Sequence, residues 1–169
     1  MRRDTLIRLS AGAGVTGGAL RVASSFLGGM SGSPGLELLY LVIDLGLLFA
    51  IPGVYLSRHS ELGVAGFIGF VLALCGAASI VGPDGALLGI EMYRLGGGAL
   101  MLGLAVLAVA QLRLGPSRIC SSIGWLMAAL LLIGAVATAA GWLFTPMGVL
   151  FGLAFVAAGL ELAREVRRP

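Results

Sequence analysis

Among the ionisable side chains inside or at the edges of apolar stretches, where a charge is costly and is usually paired or functional, five form one candidate set. They are Arg21, Glu37, Asp44, Glu91 and Arg94. Together these side chains carry two positive and three negative formal charges. If all five faced one dry pocket, one carboxyl group would have no partner. That group would be protonated, or it would hold a proton or a cation in transit.

Two tyrosines accompany these charges. Tyr40 and Asp44 follow Glu37 at i+3 and i+7, so the three residues share one helical face. Tyr93 stands directly before Arg94. Two interpretations are open. One is a purely structural polar lock, in which Glu37 reaches headgroup water and the other four charges balance. The other is a ligand or ion pocket that opens outward.

The elements that must position these residues are membrane-spanning helices. The chain has 169 residues, of which 59% are hydrophobic and 11% charged, whereas globular domains have about 25% charged residues. A span needs about 20 apolar residues, and it must be helical because lipid offers no partner to unpaired backbone groups. We therefore predict an all-α, polytopic transmembrane helical bundle that forms a single domain over 1–169. Its six spans cover about 5–27, 36–56, 62–81, 86–112, 119–141 and 147–162.

The arginines predict the orientation, because cytoplasmic loops carry an excess of basic residues. With six spans and a cytoplasmic N-terminus, nine of the eleven arginines fall on the cytoplasmic side, and the outer loops carry one charge, Asp84. The N- and C-termini are then both cytoplasmic, and we predict a multi-pass protein of the inner (cytoplasmic) membrane. The first stretch contains Arg21 and has no clean A-x-A site, which favours a retained helix over a cleaved signal peptide.

Two arginines do not follow this orientation rule. Arg21 lies seven residues before Gly28, at the outer end of the first span, and Asp44 lies eight residues after Leu36, the outer start of the second. Both therefore lie roughly 10–12 Å inside their helices, and we predict an Arg21–Asp44 ion pair. Arg94 has a similar depth in the fourth span, with Glu91 three residues before it on the same face. The sequence thus predicts a charged cluster in the outer leaflet, on helices 1, 2 and 4.

Glycine and proline predict how the helices pack and bend. Pro52 removes a backbone donor from the second span, and with Gly53 it predicts a kink or hinge near the inner end. Small residues at regular spacing let helix backbones approach closely, and the first helix is a candidate for an internal or partner-facing position. The predicted packing glycines are Gly14, Gly18, Gly63, Gly66, Gly69, Gly148 and Gly152. Gly-Gly-Ala-Leu occurs at 17–20 and 97–100, which leaves open an inverted repeat of two halves.

Searches for catalytic and metal-binding motifs are negative. The chain has no lysine, so Schiff-base chemistry is excluded, and its one histidine, His59, stands in a loop. One histidine cannot form a metal site alone, so we predict no metal. Cys75 and Cys120 lie too far apart in depth for a disulfide. We expect no nucleic-acid binding, because orientation accounts for the basic charge.

These observations favour a function in association over an enzymatic one. We interpret the chain as a small scaffold or accessory subunit of a membrane assembly. The alternative is a small transporter or a ligand- or ion-binding bundle that uses the outer charged cluster. The short glycine-rich spans of this chain resemble those of many bacterial integral membrane proteins, and the resemblance is not specific to one family. The expected partners are the lipid bilayer and either another membrane protein or further copies of the chain. No cofactor is predicted, although a bound lipid is compatible with the sequence.

Overall fold

Six long helices make up nearly all of the part of the chain that the structure describes. The computed structural model describes residues 3–27, 34–81, 86–87 and 90–167. Two two-residue strands, β1 (Ala86–Leu87) and β2 (Ile90–Glu91), precede the fourth helix. Short 3-10 turns at Pro116–Arg118 and Gly141–Leu143 lead into the last two helices. The helices are α1 (Arg3–Ser24), α2 (Pro34–Leu56), α3 (His59–Ile80), α4 (Met92–Leu112), α5 (Ile119–Thr138) and α6 (Phe144–Arg167).

The helices form an up-and-down ring. Each packs against its neighbours in sequence, and α6 closes the ring against α1. The closing contact is antiparallel, because Gly14 lies against Gly159 while Gly18, further along α1, lies against Gly152. The same order of contacts brings the first residues of α1 beside the last turn of α2, where Arg3 donates to the carbonyl oxygen of Leu56 at 3.0 Å.

The interior is filled by apolar side chains from several helices. Trp125 of α5 meets Phe155 of α6 edge-on, with ring centroids 5.3 Å apart. Phe151 stands one turn before Phe155 on α6, and the two rings meet edge-on at an interplanar angle of 64°. Leu107 of α4 is fully buried. Interiors of this kind are close-packed, so a change in side-chain volume there has a direct cost.

The outer surface of the ring is as apolar as the core. Val64 is 75% exposed and Leu130 is 67% exposed, which would be unfavourable in water and is normal against lipid. Five helices, α2 to α6, are long and apolar enough to cross a membrane. The protein is therefore a multi-pass helical membrane bundle, as predicted.

The first helix is different in composition. It does not meet the same criterion, because four charged residues and many small polar ones dilute its apolar content. The prediction of six spans therefore stays a prediction, as does the cytoplasmic location of both termini.

Two helix boundaries differ most from the expected ones. The fourth helix begins at Met92, because 86–91 contains a short antiparallel pair in which Ala86 faces Glu91 and Leu87 faces Ile90. Apolar content alone cannot separate such strands from a first helical turn. The sixth helix continues to Arg167, since Ala, Arg and Glu are good helix formers.

The third helix is interrupted one turn after its start. Gly63 has φ 61° and ψ −163°, a backbone conformation that L side chains rarely adopt. A first turn over 59–62 is thereby set apart from the main helix over 64–80. The expected bend in α2 concerned Pro52, and α2 continues as a helix through that residue.

The predicted packing glycines fall into three groups. Gly14, Gly18 and Gly152 form the α1–α6 contact, where a Cβ on Gly18 would lie 2.5 Å from the carbonyl oxygen of Gly152. Gly69 lies in an equally close contact of α3 with α4, 2.7 Å from the amide nitrogen of Leu107 by the same measure.

The other three glycines have different surroundings. A Cβ on Gly148 would meet the hydroxyl of Ser25 and the guanidinium of Arg21. Gly66 faces Leu62 of its own helix, and Gly63 has nothing within 4 Å of a Cβ. Gly63 therefore allows the backbone turn and makes no helix–helix contact. Gly53, which was predicted as part of a hinge, lies against Ser10 of α1.

Candidate functional site

The first candidate site is the predicted outer pair. Asp44 is half-buried on α2 and lies within electrostatic range of the guanidinium of Arg21 on α1. The two side chains do not form a direct ion pair. Arg21 also reaches across to α6, where its guanidinium lies over Gly148. A Cβ on Gly148 would lie 3.5 Å from Nη2 of Arg21, an ordinary van der Waals contact, and 2.8 Å from the hydroxyl of Ser25, which is closer than Cβ atoms normally approach.

The rest of the predicted cluster is distributed differently. Among the described residues, α4 packs chiefly against α3 and α5, whereas α1 packs chiefly against α2 and α6. Arg94 and Tyr93 are exposed near the start of α4. Glu37 is exposed in the first turn of α2, while Tyr40 is half-buried against the core.

Glu91 is the remaining member of the predicted cluster. It is the second residue of β2, and its side chain lies outside the described part of the chain. The structure thus brings Arg21 and Asp44 together and leaves Arg94 on a helix that packs elsewhere.

A second polar cluster, at the opposite end of the ring, was not predicted. Its centre is Arg118, whose side chain is 1% exposed. Arg118 donates through Nη2 to Oε2 of Glu165 at 2.7 Å and through Nε to Oε1 of the same residue at 3.3 Å. It also donates through Nη1 to the carbonyl oxygen of Val54 at 2.9 Å, and through Nη2 to the hydroxyl of Ser57. We refer to Arg118, Glu165, Arg58, Ser57 and the Val54 carbonyl as the arginine clasp.

Local sequence explains why Arg118 reaches this position. Gly115 has φ 121°, and Pro116 follows at the start of the 3-10 turn, so the chain changes direction immediately before α5. The carbonyl of Val54 lies in the last turn of α2, where carbonyl groups have no partner within the helix. The Arg118 guanidinium supplies one partner, with planar donors that match both a carbonyl and a carboxylate, and the hydroxyl of Ser57 supplies another.

Further contacts extend the clasp to the neighbouring helices. Arg58, in the turn between α2 and α3, pairs with Oε1 of Glu165 at 3.3 Å. Arg3 donates to the carbonyl oxygens of Leu56 and Ser57, both at 3.0 Å. Helices α1, α2, α5 and α6 and the start of α3 are thus joined at one end, which we call the arginine-rich end.

A buried carboxyl group lies one turn before Glu165 on α6. Glu161 is 8% exposed and accepts a hydrogen bond from the hydroxyl of Ser121 at 2.5 Å. The Ser121 amide also donates to it, at 3.4 Å. A carboxyl group this buried requires such donors, because an unpaired polar group away from water costs free energy.

Beside it, two buried donors have no protein partner. Ser122 donates to Oε1 of Gln111 at 3.2 Å, while Nε2 of Gln111 and Nε1 of Trp125 have no hydrogen-bond acceptor among the described residues. Both side chains are 1% exposed. The contact between α4 and α5 is therefore polar and incompletely paired.

One signal in the sequence could have indicated this cluster. Glu161 lies inside the predicted sixth span, and Glu165 follows four residues later on the same helical face. Arg58 and Arg118 entered the sequence analysis only as evidence for the membrane orientation. Counting the arginines on each side of the membrane does not show which of them is buried. An acid inside a span was therefore the better indicator.

The chemistry available to these clusters is charge pairing. Arg58 and Arg118 both pair with Glu165, whereas Glu161 accepts its hydrogen bonds from the hydroxyl and the amide of Ser121. Within the described ranges, no group of three or more His, Cys, Asp or Glu residues is placed to hold a metal ion. Both clusters join neighbouring helices of the ring.

Comparisons with protein-family models, with curated proteins and with solved structures give no significant match.

Proposed function

We propose that this multi-pass membrane protein acts by association, as a scaffold or accessory subunit of an assembly in the inner (cytoplasmic) membrane. The supporting observation is the outward face of α1. Four small residues on that face are exposed, at successive spacings of four, three and four residues: Gly12, Thr16, Ala19 and Ala23. These spacings place them in one stripe along the helix.

This stripe is better suited to a helix than to lipid. Small side chains offer little apolar area to acyl chains but allow a second backbone to approach closely, as at other small-residue interfaces. Thr16 donates to the carbonyl oxygen of Gly12 at 2.9 Å, so its hydroxyl is already paired within the helix. The occupant that we infer is a transmembrane helix of another protein.

The proposal includes six spans with both termini in the cytoplasm. Two observations support α1 as a span. It is antiparallel to both α2 and α6, and its glycines contact α6 from Gly14 through Gly18. The arginine-rich end collects residues from four inter-helix or terminal segments, which by the positive-inside rule is the cytoplasmic end.

The topology can be tested with single cysteines and an impermeant thiol reagent. With Cys75 and Cys120 replaced by serine, Thr5→Cys and Ser60→Cys should react only from the cytoplasmic side, and Trp142→Cys only from the outside. Labelling of Thr5→Cys from the outside would contradict a spanning α1.

The association itself is tested by a pair of matched variants. Gly12→Leu should remove a stoichiometric partner when the chain is extracted gently from its own membranes and weighed by native mass spectrometry. Gly12 is exposed with nothing within 4 Å of a Cβ, so the bundle should tolerate the change. Gly98→Leu is the control, because it is an equally open glycine on α4.

Two results would contradict the proposal. One is a wild-type chain that is always released alone. The other is a homo-oligomer through the same face, which would retain α1 as an interface and remove the accessory role.

A transporter or ligand-binding role is the second candidate, and the approach of Arg21 to Asp44 favours it. Replacing both residues by neutral ones should then abolish binding or transport while the protein stays folded. Retained activity in the double variant would identify the pair as a structural lock.

A further inference from the structure

A shallow groove runs along the outside of the ring where α3, α4 and α5 meet. Its volume is about 320 Å³, near the lower end of the roughly 300–1,000 Å³ range of ligand pockets. The walls are apolar, and include Ala65 of α3, Ala105, Val109 and Ala110 of α4, and Leu126 of α5. One charged residue, Arg113, completes the lining.

The sequence explains why the surface is concave here. Ala65, Ala105 and Ala110 have no side chain beyond Cβ, so three wall positions are withdrawn where larger residues would fill the space. The helical break at Gly63 lies two residues before Ala65. The main part of α3 therefore begins at the arginine-rich end of the groove.

Arg113 differs from the other arginines in this region. Arg118 and Arg58 are both paired with Glu165, whereas Arg113 is exposed and forms no ion pair with any residue in the described ranges. Its amide donates to the carbonyl of Val109 at 3.3 Å, which continues the helical turn and fixes its backbone at the groove. A long basic side chain at a helix end extends toward the membrane interface, where headgroup phosphates lie.

We propose that this groove binds an anionic phospholipid, with an acyl chain along the alanine-lined wall and the phosphate on Arg113. Charge complementarity selects this occupant over a neutral lipid, because the wall has one unpaired cation and no described acid in its lining. Basic sites between helices on the cytoplasmic side are typical binding sites for acidic headgroups. The site is separate from the stripe on α1, so the proposal does not depend on the proposed association.

Native mass spectrometry of the full chain can test this site with defined lipids. The purified protein is delipidated and then titrated with phosphatidylglycerol or with phosphatidylcholine of the same acyl chains. The first bound phosphatidylglycerol should be preferred about fivefold, the ratio that corresponds to about 1 kcal/mol for one arginine near an anionic headgroup.

Two variants separate the headgroup from the chain. Arg113→Gln should equalise the affinities for the two lipids. Ala65→Phe fills the groove and should weaken the first binding event for both; Ala65→Leu is a smaller replacement should the phenylalanine variant fail to fold. Arg164→Gln is the matched control, because Arg164 is exposed at the same end and does not line the groove.

Three results would overturn the proposal. The first is equal affinity of the wild-type chain for both lipids. The second is an effect of Arg164→Gln as large as that of Arg113→Gln, which would indicate diffuse surface charge. The third is unchanged binding in a folded Ala65 variant, which would show that the acyl chain lies elsewhere.

Discussion

Arg118 and Glu165 pair at 2.7 Å between the start of α5 and the end of α6, and the two residues have unequal access to water. The arginine side chain is 1% exposed and the glutamate side chain 26%. Glu165 also forms an ion pair with a second arginine, Arg58, at 3.3 Å. Loss of the glutamate would therefore leave a buried cation without a counter-ion, whereas loss of the arginine would leave a partly solvated anion that still has a partner.

This asymmetry predicts unequal effects of two substitutions. We expect Glu165→Gln to lower the free energy of unfolding by about 3 kcal/mol, the usual cost of breaking a buried pair. Arg118→Met should cost less, because methionine buries no charge and the Val54 carbonyl keeps the hydroxyl of Ser57 at 3.0 Å. Unfolding by denaturing detergent in mixed micelles, followed by fluorescence of the buried Trp125, measures both.

Arg164→Gln serves as the control for the clasp, since surface substitutions usually change stability by less than about 0.5 kcal/mol. An equal loss in the glutamate and arginine variants would contradict the asymmetry.

Two glycines on α1 should respond in opposite directions to alanine. A Cβ on Gly18 would lie 2.5 Å from a carbonyl oxygen and 2.8 Å from a backbone nitrogen of α6, so Gly18→Ala should destabilise by about 1–3 kcal/mol. Gly12 has open space, and Gly12→Ala should stabilise the helix by about 0.5–1 kcal/mol. Thermal unfolding in detergent compares the two, and similar shifts in both variants would contradict the α1–α6 contact.

The turn at Gly63 isolates a backbone effect from a steric one. Gly63→Ala meets no atom within 4 Å, yet φ 61° with ψ −163° is a conformation nearly confined to glycine, and alanine there costs roughly 1–3 kcal/mol. Gly97→Ala is the comparison, because Gly97 is also open but lies within α4. We expect the first to lower the melting temperature and the second to leave it equal or higher. A neutral Gly63→Ala would show that the break in α3 is not required.

The Arg21–Asp44 relationship predicts coupling between the two positions. Arg21→Gln and Asp44→Asn should each destabilise, and the double variant should cost less than the sum of the singles. An interaction free energy of about 0.5–3 kcal/mol is typical of residues in contact or in one network. A double-mutant cycle on unfolding free energies measures this quantity, and additive effects would show that the two charges act independently.

The sequence allowed the class of fold and the Arg21–Asp44 neighbourhood to be predicted, because both depend on local composition and helix depth. Consecutive antiparallel helices bring residues of equal depth together, so Arg21 on α1 could be matched to Asp44 on α2. The same reasoning could not place Arg94, since depth does not determine which helices are neighbours in a ring.

The clasp could not be predicted for a related reason. Arg58, Arg118 and Glu165 come from three separate segments, and their meeting depends on the closure of α6 beside α1 and α2. The spacing of the glycines also could not show which of them pack between helices. Gly14 and Gly18 lie at a helix contact, whereas Gly63 lies at a turn. The difference depends on backbone dihedral angles that the spacing does not encode.

The seam between α1 and α6 has a consequence for biosynthesis. A chain made from its N-terminus produces Gly14 and Gly18 long before Gly152 and Gly159, the residues against which they pack. The least apolar helix is therefore made before α6, the helix against which these glycines pack, has been translated. Premature termination within α6 would therefore affect the other end of the chain, because α1 would lose one of the two helices against which it packs and would keep only α2.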